Sequence, residues 1–127
     1  MNVRAAAERR GRRAETLTCL WLQLKAYRIL ARRARTPMGE IDIIAARGQV
    51  LVFVEVKALD ANRPVSSAIS AGQRLKLVRA AALWRSRHRR WSQLQPRFDL
   101  VLWPSGQCPQ HFRAAWTLDN HRLESLL

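Results

Sequence analysis

Apolar and polar positions along this chain repeat at two periods. From Val3 to about Lys25 the composition is rich in Ala, Arg, Leu and Glu, and Ala14, Leu17, Trp21 and Leu24 recur at helical spacing. The pattern predicts an amphipathic helix with that face on a core, its regular part starting near Gly11, where glycine disfavours the helix. Tyr27 to Leu30 predicts a short edge strand, followed by the basic run Arg32, Arg33 and Arg35. Thr36-Pro37-Met38-Gly39 predicts a turn. Glu40 to Ala45 and Val50 to Ala58 then read as strands, and the link Ala46-Arg47-Gly48-Gln49 is short enough for an antiparallel hairpin.

Leu59 to Ser67, with Asp60, Asn62 and Pro64, reads as a loop. A second helix is predicted from about Ser67 to Trp91. Leu75, Leu77, Val78, Ala81, Ala82 and Trp84 make its broad apolar face, and Lys76, Arg79, Arg87 and Arg90 line another side. Ser92 to Pro96 breaks it. Arg97 to Trp103 reads as a strand, Pro104 to Pro109 as a turn, and His111 to Trp116 as a last strand. After Asp119 a short helix capped by Asp119 or Asn120 is expected. With no internal repeat and no linker, residues 1–127 read as one mixed α/β domain, a small sheet with flanking helices.

The 127 residues carry 23 Lys or Arg against 9 Asp or Glu, a formal charge of +14. All but Lys25, Lys57 and Lys76 of those bases are Arg, whose guanidinium forks onto phosphate. Such an excess cannot be neutralised internally and points to a polyanionic partner, nucleic acid first. No apolar run approaches the length of a membrane span. Cys19 and Cys108 lie far apart in no metal-like spacing and read as reduced thiols. No signal peptide is evident, so a cytoplasmic location is expected.

Against that basic background the acids are informative. Glu40, Asp42 and Glu55 fall in the most apolar part of the chain. On the strand Phe53-Val54-Glu55-Val56-Lys57, Glu55 and Lys57 share one face while Val52, Val54 and Val56 take the other. By the same alternation Asp42 lies opposite Ile41 and Ile43. Hairpin pairing brings Asp42 and Glu55 side by side at its open end, where two carboxylates repel unless a proton or cation lies between them. Hard oxygen ligands on a rigid hairpin suit Mg²⁺ or Mn²⁺. Lys57 then stands where a phosphate and its attacking water would lie.

Asp42 with Glu55-x-Lys57 is the pattern of the PD-(D/E)xK nuclease superfamily. Gly39-Glu40-Ile41-Asp42 followed by Val52-Phe53-Val54-Glu55-Val56-Lys57 resembles the hallmark of the bacterial YraN-like family of uncharacterised, nuclease-related proteins. Gly11-Arg12-Arg13-Ala14-Glu15, Ala26 to Leu30, Ala68-Ile69 with Ala80-Ala81, and Arg97-Phe98-Asp99 extend the likeness over about residues 10 to 116. That family is similar in its core to archaeal Holliday-junction resolvases. The resemblance implies a restriction-endonuclease-like α/β/α fold, a small mixed central sheet and a branched, flapped or single-stranded DNA substrate. It implies Asp42 and Glu55 as metal ligands, Lys57 as the catalytic lysine, and Glu15 as a helical glutamate reaching the metal. It also implies a homodimer as a candidate assembly. Glu15 shares a helix row with Cys19 and Leu22, and so is expected to be partly buried.

Several positions depart from the family pattern. Leu59 stands where an Arg is usual, Gln73 where the second helix usually opens with Lys, and Arg33 and Ala34 where an Asn and an aromatic are usual. Gln73 remains a candidate fourth site residue. Arg32, Arg33, Arg35, Lys76, Arg79, Arg87 and Arg90 are candidate DNA-phosphate contacts. Glu40 reads as auxiliary. His88, His111 and His121 are scattered and read as surface or strand-end residues, and Trp84 reads as core. A metal-dependent endonuclease is thus the first expectation, with a non-catalytic nucleic-acid binder and a basic protein-interaction adaptor as alternatives.

Overall fold

The computed structural model describes residues 2–59, 68–104 and 106–116. Its elements run α1 (Val3–Leu24), β1 (Arg28–Thr36), β2 (Gly39–Arg47), β3 (Val50–Leu59), α2 (Ala71–Arg87), β4 (Gln95–Pro104) and β5 (Gln110–Trp116). A 3-10 turn spans Arg89–Trp91. The five strands form one sheet in chain order, antiparallel throughout except for the parallel pair β3–β4. A parallel pair needs a long crossover, and the segment containing α2 supplies it.

The sheet is buried on both sides, so β3 reads as almost continuously apolar. Val52, Val54 and Val56 join Ile43, Ala45 and Val101 beneath Ala14, Cys19 and Leu22 of α1. Leu51 and Phe53 join Ile44, Phe98, Leu100 and Leu102 beneath Leu77, Ala80, Ala81 and Trp84 of α2. The helices therefore cover opposite faces of a mixed sheet, the α/β class that the sequence predicts. Trp84 lies in this core as expected, edge-on to Phe53 with ring centroids 6.2 Å apart.

Several boundaries and faces differ from expectation. Helix α1 does not start near Gly11: Asn2 caps it, accepting from the Arg4 amide at 3.0 Å, and the glycine lies inside. Its buried row is Ala14, Thr18, Cys19 and Leu22, while Leu17 and Leu24 are exposed. Two rows share the same helical spacing, and the sheet takes the one whose small residues permit close approach. Thr18 is satisfied there, donating to the Ala14 carbonyl at 2.6 Å and accepting from Trp103 Nε1 at 2.7 Å.

Strand β1 is longer than Tyr27–Leu30 and takes in Arg32, Arg33 and Arg35, because an edge strand lets charged side chains reach water. Helix α2 is shorter than predicted. Ser70 caps it, accepting from the Gln73 amide at 3.1 Å, and the helix ends at Arg87. Arg90 is therefore not on the helical row of Lys76, Arg79 and Arg87. It lies in the 3-10 turn, its guanidinium 4.8 Å from the Trp91 ring centre. Ala82 is exposed rather than on the apolar face. Strand β4 begins at Gln95, inside the predicted break. The loop after Leu59 as far as Ser67, His121 and the helix expected after Asp119 lie outside the described residues.

Candidate functional site

The pairing of β2 with β3 stops at Ile43–Val54, one step short of Asp42 and Glu55. Beyond that point β3 keeps its parallel partner, with Glu55 opposite Leu100 and Lys57 opposite Leu102. The β2 backbone parts from β3, and a side chain takes over the missing pairing. Asp42 Oδ2 accepts from the Val56 amide at 2.9 Å. On the other side β1 also lacks a pair here, for Arg32 faces Ile43 and Ala34 faces Ile41 while Arg33 and Asp42 are skipped. Gly39, at φ 140°, carries the chain from the turn into β2 through backbone that favours glycine. The strict alternation expected around Asp42 is not kept. Ile43 is buried on the α1 side, but Ile41 packs with the α2 cluster, where β2 has no β3 neighbour to hold its pleat.

The opened sheet brings four predicted residues together. Glu55 is 6% exposed, and its Oε1 accepts from Gln73 Nε2 at 3.1 Å and faces Lys57 Nζ at 3.2 Å. Asp42 and Glu55 lie close enough for each carboxyl to act on the other's ionisation. Burial pushes Asp42 up to about 6 against the Val56 amide, which favours the charged form. Burial and then the Asp42 charge push Glu55 up to about 7, with Lys57 opposing. Two buried acids whose protonation is pushed up toward neutral pH form a site where a cation can take the place of a proton. All donors are carboxylate oxygens, the hard set that Mg²⁺ takes through one or two carboxylates with water and phosphate completing its shell. The donor set fits such an ion.

Glu15 is near but not in this group. It is half-buried on α1 as expected, and its charge helps raise Asp42, yet its Oε1 accepts from Arg33 Nε at 3.0 Å. Among the described residues no three His, Cys, Asp or Glu side chains converge as metal ligands. Glu40 is auxiliary in place, 3.7 Å from Arg35. It lines two clefts. One of about 520 Å³ runs past Ser70, Gly72, Gln73 and Lys76 at the start of α2. The other, of about 390 Å³, runs past Glu8, Arg12, Glu15, Arg33 and Arg35 between α1 and β1.

The predicted basic contacts divide between two ends of the molecule. Arg33, Arg35 and Lys76 line the clefts at the site, and Arg32 donates to Thr16 Oγ1 at 3.0 Å. Arg79 is exposed along α2. Helix α2 has 17 residues and is about 25 Å long, so Arg87 and Arg90 lie at the end away from Gln73.

The histidines correct one expectation. His88 is exposed at the end of α2, stacked on Trp84 with centroids 4.0 Å apart. His111, expected at a surface or strand end, lies near the start of β5 but is buried in a network the sequence reading missed. Its Nε2 donates to Asp99 Oδ2 at 2.7 Å and its Nδ1 accepts from Lys25 Nζ at 3.0 Å. Arg97 grips both Asp99 oxygens at 2.9 and 2.8 Å and donates to the Tyr27 hydroxyl, and the Ala114 amide donates to Asp99 Oδ1 at 3.0 Å. Burial alone would raise Asp99, but the bonds from His111, Arg97 and Ala114 outweigh it and hold its carboxyl below the usual range. The one available signal was Arg97-x-Asp99, a charged pair on one strand face; His111 and Lys25 are too distant in sequence to reveal it.

Residues 14–102 match the family described as "Uncharacterised protein family UPF0102". A UPF0102 protein of Maricaulis maris is 49% identical over 113 residues, 89% of each chain. One of Parvibaculum lavamentivorans is 45% identical, covering 87% of this chain and 84% of its own. One of Rhizobium johnstonii is 42% identical, covering 90% of this chain and 93% of its own. The matched span holds Glu15, Asp42, Glu55, Lys57 and Gln73 and ends before β5. No helix among the described residues is long and apolar enough to cross a membrane.

Proposed function

The chain belongs to the UPF0102 family, and we propose that it is a metal-dependent endonuclease that hydrolyses phosphodiesters in branched, flapped or single-stranded DNA in the cytoplasm. The buried Asp42–Glu55 pair, with Lys57 Nζ 3.2 Å from Glu55, is the observation that carries this reading. It joins the PD-(D/E)xK pattern of the sequence to a local geometry in which the acids need a cation. Bound there, Mg²⁺ or Mn²⁺ would act as a Lewis acid on a phosphoryl oxygen and activate water.

The chain's own residues account for the remaining steps. Once deprotonated, Asp42 and Glu55 are the residues that would hold the ion. Lys57 sets its charge beside the scissile phosphate and orients the attacking water, stabilising negative charge as it builds on the phosphorus oxygens. Gln73 fixes Glu55, and so the direction of its second oxygen. Arg33, Arg35 and Lys76 attract the DNA backbone into the clefts. A homodimer would present two such sites to one branched substrate, and light scattering on the purified protein measures that state.

Incubating branched, flapped and single-stranded oligonucleotides with purified protein tests the reading. Cleavage should need Mg²⁺ or Mn²⁺ and vanish in Asp42→Ala and Lys57→Ala. Equal cutting by wild type and both variants would trace the activity to a contaminant. A second reading, a nucleic-acid binder without catalysis, draws on one observation: Glu15 is held by Arg33 rather than with the other acids. It predicts salt-sensitive DNA binding and a flat Mn²⁺ titration, whereas the nuclease predicts saturable heat that Asp42→Ala removes.

A further inference from the structure

Arg33 of β1 stands opposite Asp42 of β2, at the register position where no pair forms. Its φ of 50° is left-handed, a conformation that residues with side chains rarely adopt. From there its guanidinium reaches α1 and binds Glu15 at 3.0 Å. Three carboxylates, Glu15, Glu40 and Asp42, act on this one cation. Glu15 is close enough for its charge to act on Asp42, yet its Oε1 is committed to Arg33. An acidic pocket needs counter-charge: Lys57 supplies it at Glu55, and Arg33 supplies it at Glu15 from β1.

We propose that Arg33 is a positioning residue that holds Glu15 out of the cation site and serves as its counter-cation until a divalent ion and a DNA phosphate arrive. This rests on the nuclease reading of the site. On metal entry Glu15 leaves Arg33 and turns toward Asp42 and Glu55, and the released guanidinium engages a phosphate of the bound strand. Ion and nucleic acid then favour each other's binding, because each takes one partner of the same ion pair. Free protein in turn binds metal more weakly than its three carboxylates would allow.

Calorimetric titration with Mn²⁺, in the absence of DNA, tests this on wild type, Arg33→Gln, Arg33→Lys, Glu15→Gln and the Arg33→Gln/Glu15→Gln double variant. Breaking a partly exposed ion pair should tighten Mn²⁺ binding about fivefold in Arg33→Gln, a gain that loss of structure cannot produce. Arg33→Lys should stay near wild type, Glu15→Gln should bind more weakly, and the Arg33→Gln gain should disappear in the double variant. The proposal is overturned if Arg33→Gln and wild type bind alike, if the gain persists without Glu15, or if Glu15→Gln leaves affinity unchanged. Failure of the underlying metal site is distinguishable: wild type would then give no heat, or heat that Asp42→Ala does not alter.

Discussion

Gln73 reaches from the first turns of α2 to Glu55 Oε1 at 3.1 Å, the same oxygen that faces Lys57 Nζ at 3.2 Å. One carboxylate oxygen thus ties the crossover helix to the strand that carries the site. Gln73→Ala should cost about 1 kcal/mol of stability, the usual net value of such a bond. It should lower turnover about tenfold while changing Mn²⁺ affinity much less. Urea denaturation and single-turnover cleavage measure the two effects, and equal loss in both affinity and turnover would count against a role in orientation.

Lys57 belongs to the chemical step rather than to metal holding. Lys57→Ala should therefore reduce kcat by roughly 10²–10³-fold, the range for removing one group that stabilises developing charge. Calorimetry should show Mn²⁺ still binding to the variant. If Mn²⁺ binding is lost along with cleavage, Lys57 shapes the site instead.

The acid pair makes the metal-free fold sensitive to pH near neutrality. Asp42 rises from 3.8 to about 6 and Glu55 from 4.5 to about 7, so the folded chain holds protons that the unfolded chain has already released. Stability from this pair is fully present below about pH 4 and is lost as pH rises through about 7. The loss should be on the order of 6 kcal/mol if both shifts act in full, and less to the extent that the two groups are coupled. Glu55→Gln should flatten the profile between pH 5 and 8. Added Mn²⁺ should raise Tm more at pH 8 than at pH 5.5, since only the deprotonated pair binds it. A wild-type profile that stays flat over this window, or a larger Mn²⁺ effect at pH 5.5, would contradict the raised protonation of the pair.

Asp99 acts with the opposite sign. Its carboxyl is held below the usual range, so its contribution is present above pH 4 and is lost as acid protonates it in the folded state. Asp99→Asn leaves the partly buried Arg97 guanidinium without its charge partner, at an expected cost of about 2–4 kcal/mol. Chemical denaturation at pH 7 measures this. A cost under about 1 kcal/mol would mean that Tyr27 satisfies Arg97 without Asp99.

Arg87 and Arg90 lie at the end of α2 away from the site, so they should serve affinity without touching chemistry. Arg87→Ala with Arg90→Ala should weaken DNA binding and lower the salt dependence by roughly one to two units of slope. Single-turnover cleavage of saturating substrate should stay unchanged. Strands that extend only a few nucleotides from the cut should not detect the substitutions, since about 20 Å of helix intervenes. Fluorescence anisotropy across a salt series and a ladder of oligonucleotide lengths check both statements.

Local pattern was enough for the α/β class, the element order and the shared face of Glu55 and Lys57, because these follow from residue periodicity within single elements; Asp42 meets them only where β2 parts from β3. A side chain's face on a strand is fixed within two residues, and a short hairpin sets its own partner. Element ends were less legible. Gly11 looked like a helix start and lies within the helix, since the Asn2 cap sits upstream of it. Leu17 and Leu24 looked like core and face water, since only contact with β3 chooses between two equivalent rows.

What the sequence alone determined is the chemistry on offer: a large excess of Arg, and three acids placed among β-branched residues. Tertiary structure decided which charges meet. It gave Glu55 to Gln73 and Lys57, Glu15 to Arg33, and Asp99 to Arg97 and His111. These pairings join residues on different elements, and electrostatic attraction carries no mark of its partner in the local pattern. Charge at long range along the chain becomes specific only after backbone packing has removed water and fixed the distances.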